Sequence, residues 1–139
     1  MKKFMSDLIV TENTPLNDQY FLLKLKAENE LPVIMPGQFA EVKVEDSPST
    51  FLRRPISINY VDRNRNEIWL LIQIVGPGTL QLSKLRPGKL LNLIYPLGNS
   101  FTYPVRKDAN LLLVGGGVGI APMLFWGAQL AAEGFHCNF

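Results

Sequence analysis

Up to Pro104, apolar and polar residues alternate in short runs separated by turn-forming residues, the pattern of strands with one face inward and one outward. Leu8 to Glu12 is the first run. Tyr20 to Lys26 is the second, where Tyr20, Leu22 and either Lys24 or Leu25 mark an imperfect alternation. Phe39 to Val44 alternates more cleanly after the turn pair Pro36-Gly37. Arg54 to Tyr60 and Glu67 to Val75 flank the polar run Asp62-Arg63-Asn64-Arg65-Asn66 and predict a hairpin. Thr79 to Leu85 suits one or two helical turns with Thr79 as N-cap. Pro87-Gly88 then turns the chain into Leu90 to Ile94, a sixth strand. The expected fold class is mainly β, a six-stranded antiparallel Greek-key barrel; the spacing favours a barrel over a sandwich, but periodicity alone does not choose between them.

The pattern changes after Pro104. Leu111-Leu112-Leu113-Val114 is continuously apolar, as in a strand buried on both faces of a parallel sheet. The run Gly115-Gly116-Gly117-Val118-Gly119-Ile120-Ala121-Pro122 follows, then an apolar helix over Ala121 to Ala132 that Gly134 stops. The expected organisation is a barrel over residues 1–104 and, over 105–139, the first βα unit of an incomplete α/β nucleotide-binding domain. A parallel sheet needs more than one strand. The expectation is therefore the first part of a longer protein, or a chain shortened by design or by a frameshift. Its bare strand edges and apolar faces predict self-association through 105–139, or disorder after about Pro104.

Composition adds limits. Of the 139 residues, 47% are hydrophobic, ample for a core, and the net charge of +2 is spread without a basic block. That gives no reason to expect nucleic acid or an anionic membrane as partner. Met1-Lys2-Lys3 resembles the start of a signal sequence, but Ser6-Asp7 interrupts before an apolar stretch forms. The lone Cys137 leaves no internal disulfide and no four-cysteine metal site. It reads as a core or incidental thiol, and His136 as a surface or packing residue. No metal-ligating set is expected, and the plain reading is a soluble cytoplasmic protein.

Two segments carry candidate chemistry. In Arg54-Pro55-Ile56-Ser57, proline restrains Arg54 to an extended backbone. The permanently charged guanidinium offers a fork of donors suited to a pyrophosphate. Alternation sets Arg54 and Ile56 on one face and Ser57 on the other or at its margin; Ile56 suits an aromatic ring system and Ser57 its polar edge. In Gly76-Pro77-Gly78-Thr79, glycines permit close approach before a helical start whose free N–H groups face an anion. A third segment, Gly115 to Pro122, follows a strand and suits a second dinucleotide. Taken singly, the first two are better explained as an edge strand with solvated arginines and an ordinary turn; together they point to a redox flavoprotein.

The ordered set Pro36-Gly37-Gln38-Phe39, Arg54-Pro55-Ile56-Ser57, Gly78-Thr79, Pro87-Gly88, Pro96-Leu97-Gly98-Asn99 and Gly115 to Pro122 resembles the ferredoxin reductase superfamily. Within it, the chain looks most like the electron-transfer subunits of bacterial NAD-dependent dihydroorotate dehydrogenases. Isoleucine at Ile56, where the wider superfamily usually has an aromatic residue, tilts the resemblance that way. The resemblance implies FAD held by Arg54, Pro55, Ile56 and Ser57, with Arg54 on the pyrophosphate and Ile56 and Ser57 near the isoalloxazine. It implies cofactor contacts from Leu71, Ile72 and Gln73, largely through backbone, and a pyrophosphate grip from Gly78 and Thr79. Gly115, Gly116, Gly117 and Gly119 would approach NAD, with Pro122 starting the next helix. Tyr95 and Ser100 stand where glycines are common beside Pro96-Leu97-Gly98-Asn99.

The resemblance further implies a catalytic dihydroorotate dehydrogenase subunit as partner and electron traffic from dihydroorotate through a [2Fe–2S] centre and FAD to NAD. No residue of this chain is expected to act as a catalytic acid or base. The cluster's cysteines are absent here, so the chain alone is expected to be inactive even with FAD bound. Two other readings stay open: a subunit of a related NADPH:ferredoxin or sulfide oxidoreductase, and a cofactor-free β-barrel that binds a partner protein. The last predicts a colourless protein that ignores FAD.

Overall fold

The computed structural model describes residues 2–139. Six strands, β1 (Phe4–Pro15), β2 (Tyr20–Lys26), β3 (Phe39–Val42), β4 (Arg54–Asp62), β5 (Glu67–Gln73) and β6 (Leu90–Leu97), close into a barrel in the order β1-β2-β5-β4-β3-β6. Every neighbouring pair is antiparallel. The chain runs β3-β4-β5 as a meander and lays β2 beside β5, which is a Greek key. Closure pairs every strand with a neighbour on each side over at least part of its length.

The interior comes from the alternation. Leu8 and Val10, Phe21, Leu23 and Leu25, Ala40 and Val42, Ile68, Leu70 and Ile72, and Leu91 and Leu93 all point inward and are buried. Each large one contributes roughly 1.5–3 kcal/mol through burial. In β2 the inward set is Phe21, Leu23 and Leu25, with Tyr20, Leu22 and Lys24 outward, so the face suggested by Tyr20 and Leu22 is the outer one. A one-residue shift exchanges the faces of a strand, and adjacent leucines give no period to choose by. The predicted hairpin is β4 turning into β5, with Asn66 at φ 57 in the turn. Its side-chain amide donates to the carbonyls of Ala27 and Asn29, tying the turn to the next loop.

Between β5 and β6 lies the short helix α1 (Pro77–Ser83). Its N-cap is Gly76, and Thr79 sits two residues inside the helix from Pro77, not at its cap. The Thr79 hydroxyl accepts from the N–H groups of Val75 (2.8 Å) and Gly76 (3.2 Å), reaching back to close the turn. Leu82 plugs the barrel interior from this helix.

Beyond the barrel come β7 (Leu111–Leu112), a 3₁₀ turn (Gly117–Ile120), α2 (Met123–Ala132) and β8 (Cys137–Asn138). The unpartnered strand expected here has a parallel partner. Leu111 pairs with Cys137 and Leu112 with Asn138, and the Leu113 N–H adds a bond to the Asn138 carbonyl at 2.9 Å. The four-residue apolar run contributes only two strand residues. Leu113 is buried against Leu130 and Phe135, whereas Leu112 and Val114 are 70% and 76% exposed. The strand is thus covered on one face, not both. Cys137 is a free thiol, half-buried beside this small cluster. Among the described residues, no helix is long and apolar enough to cross a membrane.

Helix α2 joins the two parts. Phe125 is buried in the barrel's hydrophobic cluster, its ring edge-on to Tyr60 at 6.1 Å. Trp126, on the next position, meets Phe101 and Tyr103 at 5.4 and 4.7 Å.

Candidate functional site

The barrel wall splits between β4 and β5. Their ladder runs from Ile58↔Leu70 to Asp62↔Glu67 and goes no further. Arg54 to Ser57 stay paired with β3, and Leu71 to Gln73 with β2. The sides of these two segments that face each other therefore present backbone N–H and C=O groups without ladder partners. A cleft of about 400 Å³ occupies the split, lined by Arg54, Pro55, Ile56, Ser57, Leu71, Ile72 and Gln73. Val75 and Thr79 line its α1 end, and Val118, Gly119, Ala121 and Pro122 form the wall supplied by the C-terminal unit.

Ten of the predicted site positions have a clear place in this arrangement. Arg54, Pro55, Ile56, Ser57, Leu71, Ile72, Gln73, Thr79, Gly119 and Pro122 all line the cleft. Gly78 does not line it but makes room for Arg54. A Cβ there would lie 3.0 Å from the Arg54 Nε and 3.2 Å from Thr50 Cγ2, tighter than a well-packed contact allows. Gly115, Gly116 and Gly117 sit away from the lining. Gly115 permits a tight reversal, since a Cβ would fall 2.6 Å from Ile120 Cα. Gly117, at φ 56, turns the chain into the 3₁₀ turn. Val75 lines the cleft without having been singled out in the sequence, and Val118 and Ala121 line it although only the glycines and Pro122 of their run were expected at a cofactor. Small apolar residues carry no motif, and only their place around the split reveals them.

Arg54 is the sole ionisable side chain among the lining residues. Its Nη1 donates to the Leu52 carbonyl at 2.9 Å and the Arg53 carbonyl at 3.4 Å, and it joins no ion pair among the described residues. A permanent positive charge with donors to spare thus stands at one end of a mostly apolar cleft. The groups with perturbed titration lie elsewhere. Burial, then Glu133, raises Tyr103, and hydrogen bonds from Lys24 and Arg106 lower Glu12 and Asp108. The lining holds no carboxylate, imidazole or thiol. Pro55, Ile56, Val75, Val118 and Ala121 make most of the lining apolar, and Arg54 gives it one positively charged side chain.

The chain is 43% identical over 100 residues to the dihydroorotate dehydrogenase B (NAD+) electron transfer subunit of Lysinibacillus sphaericus, covering 71% of this chain and 39% of that one. It is 32% identical over 135 residues to the subunit of the same name from Shouchella clausii, covering 96% and 52%. The chain is homologous to these electron transfer subunits. It spans about half the length of the relatives it matches, 39% and 52% in these two. No protein-family model matches it. Among solved structures, the NADH-dependent reduced ferredoxin-NADP oxidoreductase shares the fold with a TM-score of 0.80 at 23% identity, covering 94% of this chain and 46% of that one. The barrel is thus the one found in ferredoxin reductase-type proteins.

Proposed function

We propose that the cleft between β4, β5 and the C-terminal unit binds FAD, and that the chain is part of an electron transfer subunit linking dihydroorotate oxidation on a partner catalytic subunit to NAD. The carrying observation is the split in the β4–β5 ladder, with Arg54 in no ion pair among the described residues and a mostly apolar lining along the rest. Bound flavin supplies one- and two-electron chemistry that no side chain of the cleft offers.

The chain's own residues bind and shield. Arg54 holds the pyrophosphate by charge-assisted hydrogen bonds. Gly78 lets the first turn of α1 approach the same phosphates, and Thr79 keeps that turn closed through the Val75 and Gly76 N–H groups. Leu71, Ile72 and Gln73 offer backbone groups to the ring's polar edge, while Ile56 packs on its face and Ser57 supplies a hydroxyl. Gly115, Gly116, Gly117 and Gly119 let a nicotinamide dinucleotide approach the far wall beside Pro122. The single cysteine does not fit a [2Fe–2S] centre, which needs four ligands, so electrons must enter from groups this chain does not supply.

The reading places the protein in the cytoplasm, in pyrimidine biosynthesis. Exposed Leu112, Val114 and Phe139 support self-association through residues 105–139. The test is a visible absorption spectrum of the purified chain before and after adding FAD and removing the excess. Retained flavin bands that disappear in Arg54→Ala are expected; a wild-type chain that stays colourless overturns the proposal.

A further inference from the structure

Asn59 lies where the alternation of β4 breaks. The register steps from Ile58↔Leu70 to Tyr60↔Trp69, so two positions advance on β4 for one on β5 and Asn59 is the extra residue of a β-bulge. Ile58 and Asn59 are consequently buried in succession, at 0% and 6% exposure. A bulge re-aims a side chain, and here the Asn59 amide leaves the barrel wall toward the C-terminal unit. Its Nδ2 donates to the Ala121 carbonyl at 2.7 Å in a fully buried bond.

The acceptor sits between two helical segments. The Ala121 N–H is bonded to the Val118 carbonyl at 3.0 Å, ending the 3₁₀ turn, and the carbonyl of Pro122 is the one that receives Trp126 N–H at 3.2 Å. Ala121 is 1% exposed, so its carbonyl needs a protein donor, and Asn59 supplies it. The next residue, Tyr60, meets Phe125 edge-on at 6.1 Å. That apolar contact tolerates sliding, whereas the hydrogen bond is directional. Val118, Gly119, Ala121 and Pro122 are the wall that faces Arg54 to Ser57.

We propose that Asn59 is a positioning residue: its amide fixes the Val118–Pro122 wall relative to β4 and thereby sets how far a bound flavin is shielded from solvent. The shielding half rests on the flavin reading; the positioning half does not. The groups that grip the flavin from the barrel are untouched by replacing Asn59, so affinity and shielding separate.

The experiment compares wild-type and Asn59→Leu chains by amide hydrogen exchange without ligand, by FAD affinity, and by iodide quenching of bound-flavin fluorescence. In Asn59→Leu, amides from Val118 to Trp126 exchange about tenfold faster while β1 to β6 keep their protection. The FAD dissociation constant moves by less than about threefold, and iodide quenching rises clearly. Should the leucine variant fail to fold, Asn59→Ala withdraws the donor with less bulk and carries the same expectation. Unchanged exchange at 118–126, or loss of protection spread equally over the barrel, overturns the positioning role. Faster loop exchange with unchanged quenching overturns the shielding role. A wild-type chain that takes up no FAD overturns the flavin reading and the shielding with it, while the exchange comparison still decides whether Asn59 positions the loop.

Discussion

The barrel and the C-terminal unit bury apolar surface by different means. The barrel closes on itself, and its inward side chains from six strands meet in one cluster. The C-terminal unit has a parallel pair of two-residue strands and a cluster centred on three buried side chains, Leu113, Leu130 and Phe135. It draws its remaining support from the barrel, through Phe125 on Tyr60 and Asn59 on Ala121. The first is a closed barrel whose core also takes in Phe125, and the second a small wall that leans on it. Local stability therefore differs between them, and the cleft lies where they meet.

The largest effect should come from the barrel core. Leu23→Ala, at a fully buried position, is expected to cost about 2–5 kcal/mol of global stability, read as one cooperative shift in denaturant unfolding. Leu130→Ala should instead release protection around β7, α2 and β8 and leave the barrel transition in place. Equal behaviour of the two variants would erase the distinction. Next is Arg54→Ala, which should weaken FAD binding about 10- to 100-fold by titration with an unchanged melting temperature, since Arg54 has no ion-pair partner to lose. Gly115→Ala sharpens the comparison from the other side. Its Cβ would overlap the Ile120 backbone, so exchange should rise from Gly115 to Trp126 by about tenfold, with β1 to β6 unaffected.

The smallest effect concerns Glu12, bound to Lys24 at 3.2 Å on the barrel surface. Hydrogen bonds from Lys24 and then Thr14 hold its carboxyl below the ordinary value of 4.5. A depressed folded-state value stabilises above the unfolded value and loses that contribution as pH falls through the folded one. Glu12→Gln should therefore lower the melting temperature slightly at neutral pH and match wild type in strong acid, checked by thermal melts across pH 2 to 7.

Much of this architecture was legible because its signals are local. Pro36-Gly37 and Pro87-Gly88 mark turns wherever they stand, and the apolar alternation of β3 reads directly as a half-buried strand. Arg54-Pro55-Ile56-Ser57 announced an extended segment with a fixed charge. Other features failed for want of a local signal. The adjacent leucines of β2 hid its inward face, and Thr79, a good N-cap by type, was moved inside the helix because Gly76 and Pro77 start it. The run Leu111 to Val114 promised a doubly covered strand, but one neighbouring strand and one helix cover only one side.

By itself the sequence determined the number and chain order of the barrel strands, the short helix α1 and the place of the glycine-rich turn, since each depends on residues within a few positions of one another; β1 runs well past the expected Leu8 to Glu12, over Phe4–Pro15. Tertiary structure alone decided which face of β2 points inward, where the β4–β5 ladder ends, and that Asn59 meets Ala121 across 62 positions of chain. These depend on register between distant segments, and register is fixed by the sum of many cross-strand contacts, not by any residue's own preference.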